Sequence, residues 1–214
     1  MINPKPRNRL PLRGNQTTPL PARPAKQKIL ASHLIWTGYA HWLSNDIRGS
    51  GSEEMRKEEL EQLGPIHLGR KLVQPSKKEL REFHDSAALL LDHEVIWFDE
   101  RMRKVLARAF AEVARKYGYT VYAFAILRNH AHAVIRSHRD RSEIIWLNLA
   151  RAMGDALRMS GLIPANHPVW SHRPYKVFLY LHEEVRGRIK YVDDNAEKEG
   201  LARQHWDFVA SYPW

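Results

Sequence analysis

Residues 119–137 read YTVYAFAILRNHAHAVIRS. Two runs rich in β-branched and aromatic residues, YTVYAFAIL (119–127) and AHAVIRS (131–137), are separated only by Arg128, Asn129 and His130. So short a link between two strand-like runs predicts an antiparallel hairpin. Successive side chains of a strand point to opposite faces, so His130 and His132 lie on one face, side by side. A neighbouring pair of imidazoles can chelate a divalent cation, although a metal needs further ligands from elsewhere. The chain has twelve His, so His-x-His alone is a weak signal, and taken in isolation two half-buried imidazoles in a sheet explain it better.

Upstream of the hairpin, Asp99 stands where a helix N-cap belongs. Met102, Val105, Leu106, Ala109, Phe110 and Val113 then recur at helical spacing, and Gly118 supplies a stop. Downstream, Ser142 and Glu143 open a second helix that ends near Gly161. ILASHLIWT (29–37) reads as a first strand, PYKVFLYL (174–181) contains a fourth, and a last helix runs from about Glu183 to before Gly200. The order is β-α-β, β-α-β plus a helix. This predicts an α+β, ferredoxin-like split βαβ fold with a central antiparallel sheet, the first and third strands innermost. The stretch 45–95 is long for a connection and reads as an inserted helical segment; Ser76 and Glu79 have capping-box spacing and start a helix to about Asp92. The expected organisation is a basic, Pro-rich disordered tail over 1–28, a domain over 29–206 and a C-terminal tail over 207–214.

Composition narrows the class. A length of 214 residues with 43% hydrophobic content suffices for one domain with a core. The absence of Cys excludes disulfides and thiolate zinc sites. No apolar run is long enough for a bilayer and no secretory leader is evident, so the expected location is cytoplasmic, at the nucleoid, with no membrane partner. A formal net charge of +10 favours a polyanionic partner. Residues 1–28 carry Lys5, Arg7, Arg9, Arg13, Arg23, Lys26 and Lys28 without an acidic residue, a composition suited either to a phosphate backbone or to a passive leader. Gly-rich phosphate loops and His-Glu-x-x-His are absent from the sequence, which leaves ATPase and zinc-protease readings without support.

On the last helix, a turn of about 100° per residue puts Val185, Ile189 and Val192 on one side. Tyr191 and Asn195 fall roughly opposite, near Glu184, Arg188 and Lys198. A phenol among charges can meet another surface, though a tyrosine lying along its own helix is common. With a pKa of about 10, a phenol attacks a phosphodiester poorly unless assisted. A divalent cation on the phosphate oxygens polarises phosphorus and offsets charge in the transition state. The amide of Asn195 is one turn from Tyr191 and can offer a third ligand oxygen.

RNHAHAVI (128–135) resembles the NHVHLLV-type block of the HUH (His-hydrophobic-His) single-tyrosine transposases, the insertion-sequence two-hundred type and their REP-associated relatives. IKYVDDNAEKEGL (189–201) resembles that family's closing block. Trp170 matches the Trp before its fourth strand, and WTGYAHWLSNDIRGS (36–50) resembles the opening of one subgroup. The blocks occur in order from about residue 30 to Trp206. The resemblance implies that His130, His132 and Asn195 hold Mg²⁺ or Mn²⁺, and that Tyr191 forms a 5′-phosphotyrosine. It further implies excision and insertion of single-stranded DNA with hairpin recognition and no ATP, in a homodimer or a monomer. Ala131 departs from the larger Val of most relatives and Asn195-Ala196 from the frequent Asn-Pro; both leave the ligand candidates in place.

Arg136, Arg139, Arg141, Arg151 and Arg158 form an expected basic rim that, with Arg188 and Lys198, offers phosphate contacts; a solvated charged face is an equal reading. Two other functions stay open at this level: a domesticated protein that binds single-stranded or hairpin DNA without cutting it, and an HUH replication-type nuclease.

Overall fold

The computed structural model describes residues 27–55, 57–172 and 175–214. The expected basic tail over 1–28 therefore lies, apart from its last two residues, outside the described residues. The strands are β1 (Ala31–Thr37), β2 (Val121–Ile126), β3 (His130–Arg136) and β4 (Tyr175–Leu179); the helices are α1 (Lys77–Ala88), α2 (Glu100–Tyr117), α3 (Ser142–Met159), α4 (His182–Asp193) and a short α5 (Asn195–Lys198). One four-stranded antiparallel sheet runs β2-β3-β1-β4, so β1 and β3 are central, as the chain order predicts. It is a mixed α+β architecture with helices on both faces.

Local chemistry fixes the element ends. Asp99 Oδ1 accepts from the Met102 amide at 2.7 Å, and Gly118 closes α2 at φ 72° in the left-handed region where a side chain would be strained. The capping box of α1 is complete: Ser76 Oγ accepts from the Glu79 amide and Glu79 Oε2 from the Ser76 amide. This helix ends at Ala88, short of Asp92. Beyond it the chain leaves the helical path, and Leu90, Leu91 and Val95 pack around Leu43, Leu60, Phe83 and Ala87. The 45–95 segment thus carries a small core of its own, with a 3-10 turn at Glu58–Leu63 tied down by the buried Asn45 amide, which donates to the Leu60 and Gly64 carbonyls.

The two faces of the sheet differ. Leu34, Trp36, Phe124, Ile126, Ala131, Ala133 and Ile135 pack with Leu106 and Phe110 of α2 and with Trp146, Leu149, Met153 and Leu157 of α3 in the main core. Two indoles lock α3 to β1: Trp36 Nε1 donates to the Trp146 carbonyl and Trp146 Nε1 to the Ile35 carbonyl. The other face carries Ala31, Ala123, Ala125 and Val134, covered by Val185, Ile189 and Val192 of α4. His130 and His132 belong to this second face, so α4 is the element laid across them.

Two features go beyond the sequence reading. The expected single last helix breaks at Asp194 into α4 and α5. The chain after α5, from Gln204 in the domain to Ala210 in the expected tail over 207–214, lines the outer edge of β2. The Gln204 amide bonds both the N–H and the carbonyl of Ile126, and Trp206 Nε1 donates to the Phe124 carbonyl. The Ala210 amide donates to Val121 O. An edge strand with free backbone groups invites unwanted pairing, and this segment satisfies them.

Candidate active site

Register decides which side chains meet. In the β1–β3 pairing Thr37 faces His130, Ile35 faces His132 and His33 faces Val134, so all six side chains share the α4 face. Across β3 on the other side, Ala125 faces His132 and leaves room for its ring. His33 and His132 are almost fully buried. His33 Nε2 and His132 Nδ1 are 2.9 Å apart in a hydrogen bond, with the two rings edge to edge, 5.1 Å between centroids and 17° between their planes. His130 sits edge-on to His132 at 4.7 Å, and its Nδ1 is bonded to Asn129 Oδ1 at 2.6 Å.

Both bonds use Nδ1, which leaves Nε2 of His130 and of His132 outside them. His132 Nε2 has no hydrogen-bond partner, and the nearest carboxylate to His130 Nε2 is Glu199 Oε1 at 3.9 Å. Asn195 is buried, its Nδ2 is also without a partner, and α5 packs on β2, the strand beside His132. A buried polar atom left unpaired costs roughly 1–3 kcal/mol, so a cluster of them calls for a ligand or a reason.

Tyr191 stands at the mouth. Its ring meets His132 edge-on at 5.8 Å and His33 at 6.1 Å, while 41% exposure keeps the phenol within reach of a large substrate. Arg188 Cζ and Lys198 Nζ lie over the ring at 5.4 and 5.3 Å. Two cations thus flank the phenol, where a phosphate or a developing phenolate would need them.

Burial drives the electrostatics. It lowers the pKa of His132 to about 2, with the neighbouring His130, His33 and Arg188 adding to the effect. It lowers His33 to about 3, with Arg188 contributing, and His130 to about 4, with His41 contributing. All three imidazoles are therefore neutral near pH 7 and keep a lone pair for a cation. Burial also raises the Glu199 carboxyl, opposed by Arg128.

These shifts have a stability consequence. The folded state keeps the imidazoles neutral while the unfolded chain protonates them near pH 6.5, so the unfolded state binds more protons below that point. Stability of the metal-free protein is expected to fall as pH drops through 6.5 toward about 4, by up to ~1.4 kcal/mol per pH unit for each imidazole concerned. Urea midpoints between pH 7.5 and 4.5 measure it; a midpoint independent of pH there would contradict the buried, neutral state.

Among the described residues no three His, Asp or Glu side chains form a ready metal-ligand group. Polar groups in this part of the fold are the His130 and His132 imidazoles on β3, the buried Asn195 amide on α5 and the Glu199 carboxylate 3.9 Å from His130 Nε2. The fit to a hard divalent cation is nevertheless chemically reasonable: neutral Nε2 atoms, an unpaired amide and a nearby carboxylate. His130 Nε2 and Glu199 Oε1 are 3.9 Å apart, farther than the ~3 Å between adjacent ligands of an octahedral ion with ~2.1 Å bonds, so the carboxylate neighbours the imidazole without forming a preset ligand pair with it. An amide is assigned by its bonds, so the unpaired Asn195 group presents oxygen as readily as nitrogen.

No family model matches the chain, and no curated protein matches it. A solved structure of a REP-associated tyrosine transposase bound to a REP hairpin is similar over 85% of this chain and 76% of its own, with 14% identity and a TM-score of 0.44. A candidate transposase from Deinococcus radiodurans R1 is similar over 82% and 94%, again with 14% identity, at a TM-score of 0.31. The functional reading rests on this chain's own side chains.

Of the expected phosphate contacts, only Arg188 and Lys198 are at this site. Arg136 ends β3, and six residues at about 3.3 Å each put it roughly 20 Å from His130, with Arg139 and Arg141 beyond it. Arg151 is on α3, behind the opposite face of the sheet. Arg158 is held by Asp155 and the His167 carbonyl. These five arginines lie at the end of β3, in the turn after it and on α3, beside the strand and helix where the sequence reading put them and away from the imidazole pair. His33, Asn129 and Glu199 belong to it without having been singled out by the sequence. The available signal was His33 itself, a polar residue inside the apolar strand ASHLIWT.

Proposed function

We propose that this chain cuts and rejoins single-stranded DNA by transesterification, with Tyr191 as nucleophile. The observation that carries the reading is the proximity within one chain of the Tyr191 ring, 5.8 Å from that of His132, to two neutral imidazoles, His132 with an unpartnered Nε2 and His130 with its Nε2 3.9 Å from the Glu199 carboxylate. The split βαβ chain order, which we take as ferredoxin-like, supports it by setting the paired imidazoles on a central strand and the tyrosine on the helix across them.

His130, His132 and Asn195 would hold Mg²⁺ or Mn²⁺. Bound there, the cation would act as a Lewis acid on the scissile phosphate and offset charge on the departing oxygen. Tyr191 Oη gives up its proton and bonds to phosphorus, the P–O3′ bond breaks, and the 3′ oxygen leaves as a hydroxyl after taking up a proton. The product is a 5′-phosphotyrosine that conserves the energy of the broken linkage. A 3′-hydroxyl of another strand later displaces Tyr191 and restores the phenol. Arg188 and Lys198 neutralise the phosphate as it reaches the phenol. Because Tyr191 faces the imidazoles of its own chain, this scheme needs no second copy to complete the site.

The test is incubation of a single-stranded hairpin oligonucleotide with flanking bases, followed by denaturing electrophoresis. A covalent protein–DNA adduct is expected with Mn²⁺ and is lost with excess chelator. Salt-sensitive binding with no adduct under either Mg²⁺ or Mn²⁺ would reduce the protein to a hairpin-binding module and end the transesterase reading.

A further inference from the structure

A single hydrogen bond governs whether His132 can serve as a ligand at all. The 2.9 Å contact between His33 Nε2 and His132 Nδ1 holds one proton, which belongs to one ring or the other. If His33 Nε2–H donates, His132 Nδ1 is the acceptor; a neutral His132 then carries its proton on Nε2 and has no lone pair to offer a cation. If His132 Nδ1–H donates, His132 Nε2 is a free lone pair and His33 accepts. Both rings are buried, neither outer nitrogen (His33 Nδ1, His132 Nε2) has another partner, and the ring planes are within 17° of each other, so the hydrogen bond runs nearly in the plane of both rings. No other bond to His132's ring can set its tautomer. His130 has its own device of the same kind in Asn129 Oδ1, an oxygen that only accepts.

We infer that His33 is a positioning residue that accepts from His132 Nδ1–H and so keeps His132 in the ligand-competent tautomer. The inference rests on the proposed function, in which His132 Nε2 takes a cation, and it adds a residue that touches neither metal nor DNA. A hydrogen-bond partner on the outer nitrogen of a ligating imidazole typically changes metal affinity by about 10- to 100-fold. Without His33, the Nδ1–H tautomer loses its acceptor and the ring is free to take the Nε2–H form, which must be undone each time a cation binds.

Three proteins decide it: wild type, His33→Leu, which cannot accept, and His33→Gln, whose amide oxygen can. The first readout is the tautomer of His132 in the metal-free protein, from ¹H–¹⁵N correlations of the imidazole nitrogens. The second is Mn²⁺ affinity by calorimetry, with no DNA present. The expected result is the Nδ1–H form in wild type, a roughly 10- to 100-fold loss of Mn²⁺ affinity in His33→Leu, and substantial recovery in His33→Gln. A wild-type His132 protonated on Nε2 overturns the inference whether or not the Leu variant folds. So does a His33→Leu protein that binds Mn²⁺ as tightly as wild type. Wild type in the Nδ1–H form that binds no Mn²⁺ would instead strike at the proposed function, leaving the tautomer assignment standing.

Discussion

Tyr191→Phe is expected to yield no covalent protein–DNA adduct while folding as the wild type does. The substitution removes one oxygen from a ring that is 41% exposed and leaves its edge contacts with His132 and His33 in place. Exposed positions of this kind change stability by no more than about 0.5 kcal/mol. The chemistry is affected far more. Without the hydroxyl there is no atom to bond to phosphorus, and loss of a nucleophile from a catalytic set costs on the order of 10⁴-fold or more. Hairpin binding, carried by Arg188, Lys198 and other basic groups, should persist. Denaturing gels and a binding titration on the same samples separate the two effects. A Tyr191→Phe protein that still forms an adduct would remove Tyr191 from the nucleophile's role.

The second large effect is expected at His132. His132→Ala deletes a buried imidazole and the hydrogen bond to His33, so two penalties arise together. His33 Nε2 is left without its partner in a buried place, which costs about 1–3 kcal/mol, and the missing ring leaves unfilled space. The protein should therefore lose part of its stability and, more decisively, bind Mn²⁺ at least about 100-fold more weakly. Loss of a metal ligand outweighs the 10- to 100-fold typical of an outer partner. Adduct formation should disappear with it. His130→Ala provides the control for stability, since His130 is more exposed and bonded to its neighbour Asn129, so it should lose the metal at a smaller cost to folding. Unchanged Mn²⁺ affinity in both variants would exclude the imidazole pair as the cation site.

How much of this was legible in the sequence depends on whether the deciding interactions are local. Helix α2, with Asp99 before it and Gly118 after it, and the hairpin around Arg128–His130 follow from neighbours along the chain, and both stand where the pattern puts them. The shared face of His130 and His132 likewise needs only the two-residue period of a strand. His33 was not legible, because its role comes from a register that joins residues 99 positions apart, and nothing local chooses that register. The same holds for Gln204, whose amide reaches the edge of β2 from 78 residues away. Helical phasing set Tyr191 opposite the apolar stripe of α4, where it is exposed, but it carried Asn195 along on the same face. The break at Asp194 separates the two: Tyr191 stays at the mouth and Asn195 is buried. The arginines from Arg136 to Arg158 stand beside β3 and on α3, as their place in the chain implies, and the extended strand carries them away from His130 at about 3.3 Å per residue.

Gly38 shows how tightly the rim is built. A Cβ added there would come within 2.9 Å of the Asn129 carbonyl oxygen and 2.8 Å of the His41 ring, and the Gly38 amide donates to that same carbonyl. The turn that holds Asn129, and through it His130, therefore rests against bare backbone, which explains a glycine directly after β1.

The most direct measurement is a crystal of the protein soaked in Mn²⁺ and recorded at a wavelength where manganese scatters anomalously. The account predicts one strong peak bonded to Nε2 of both His130 and His132, with the Tyr191 ring of the same chain beside it. A peak elsewhere, or a cation bonded to neither imidazole, would contradict it.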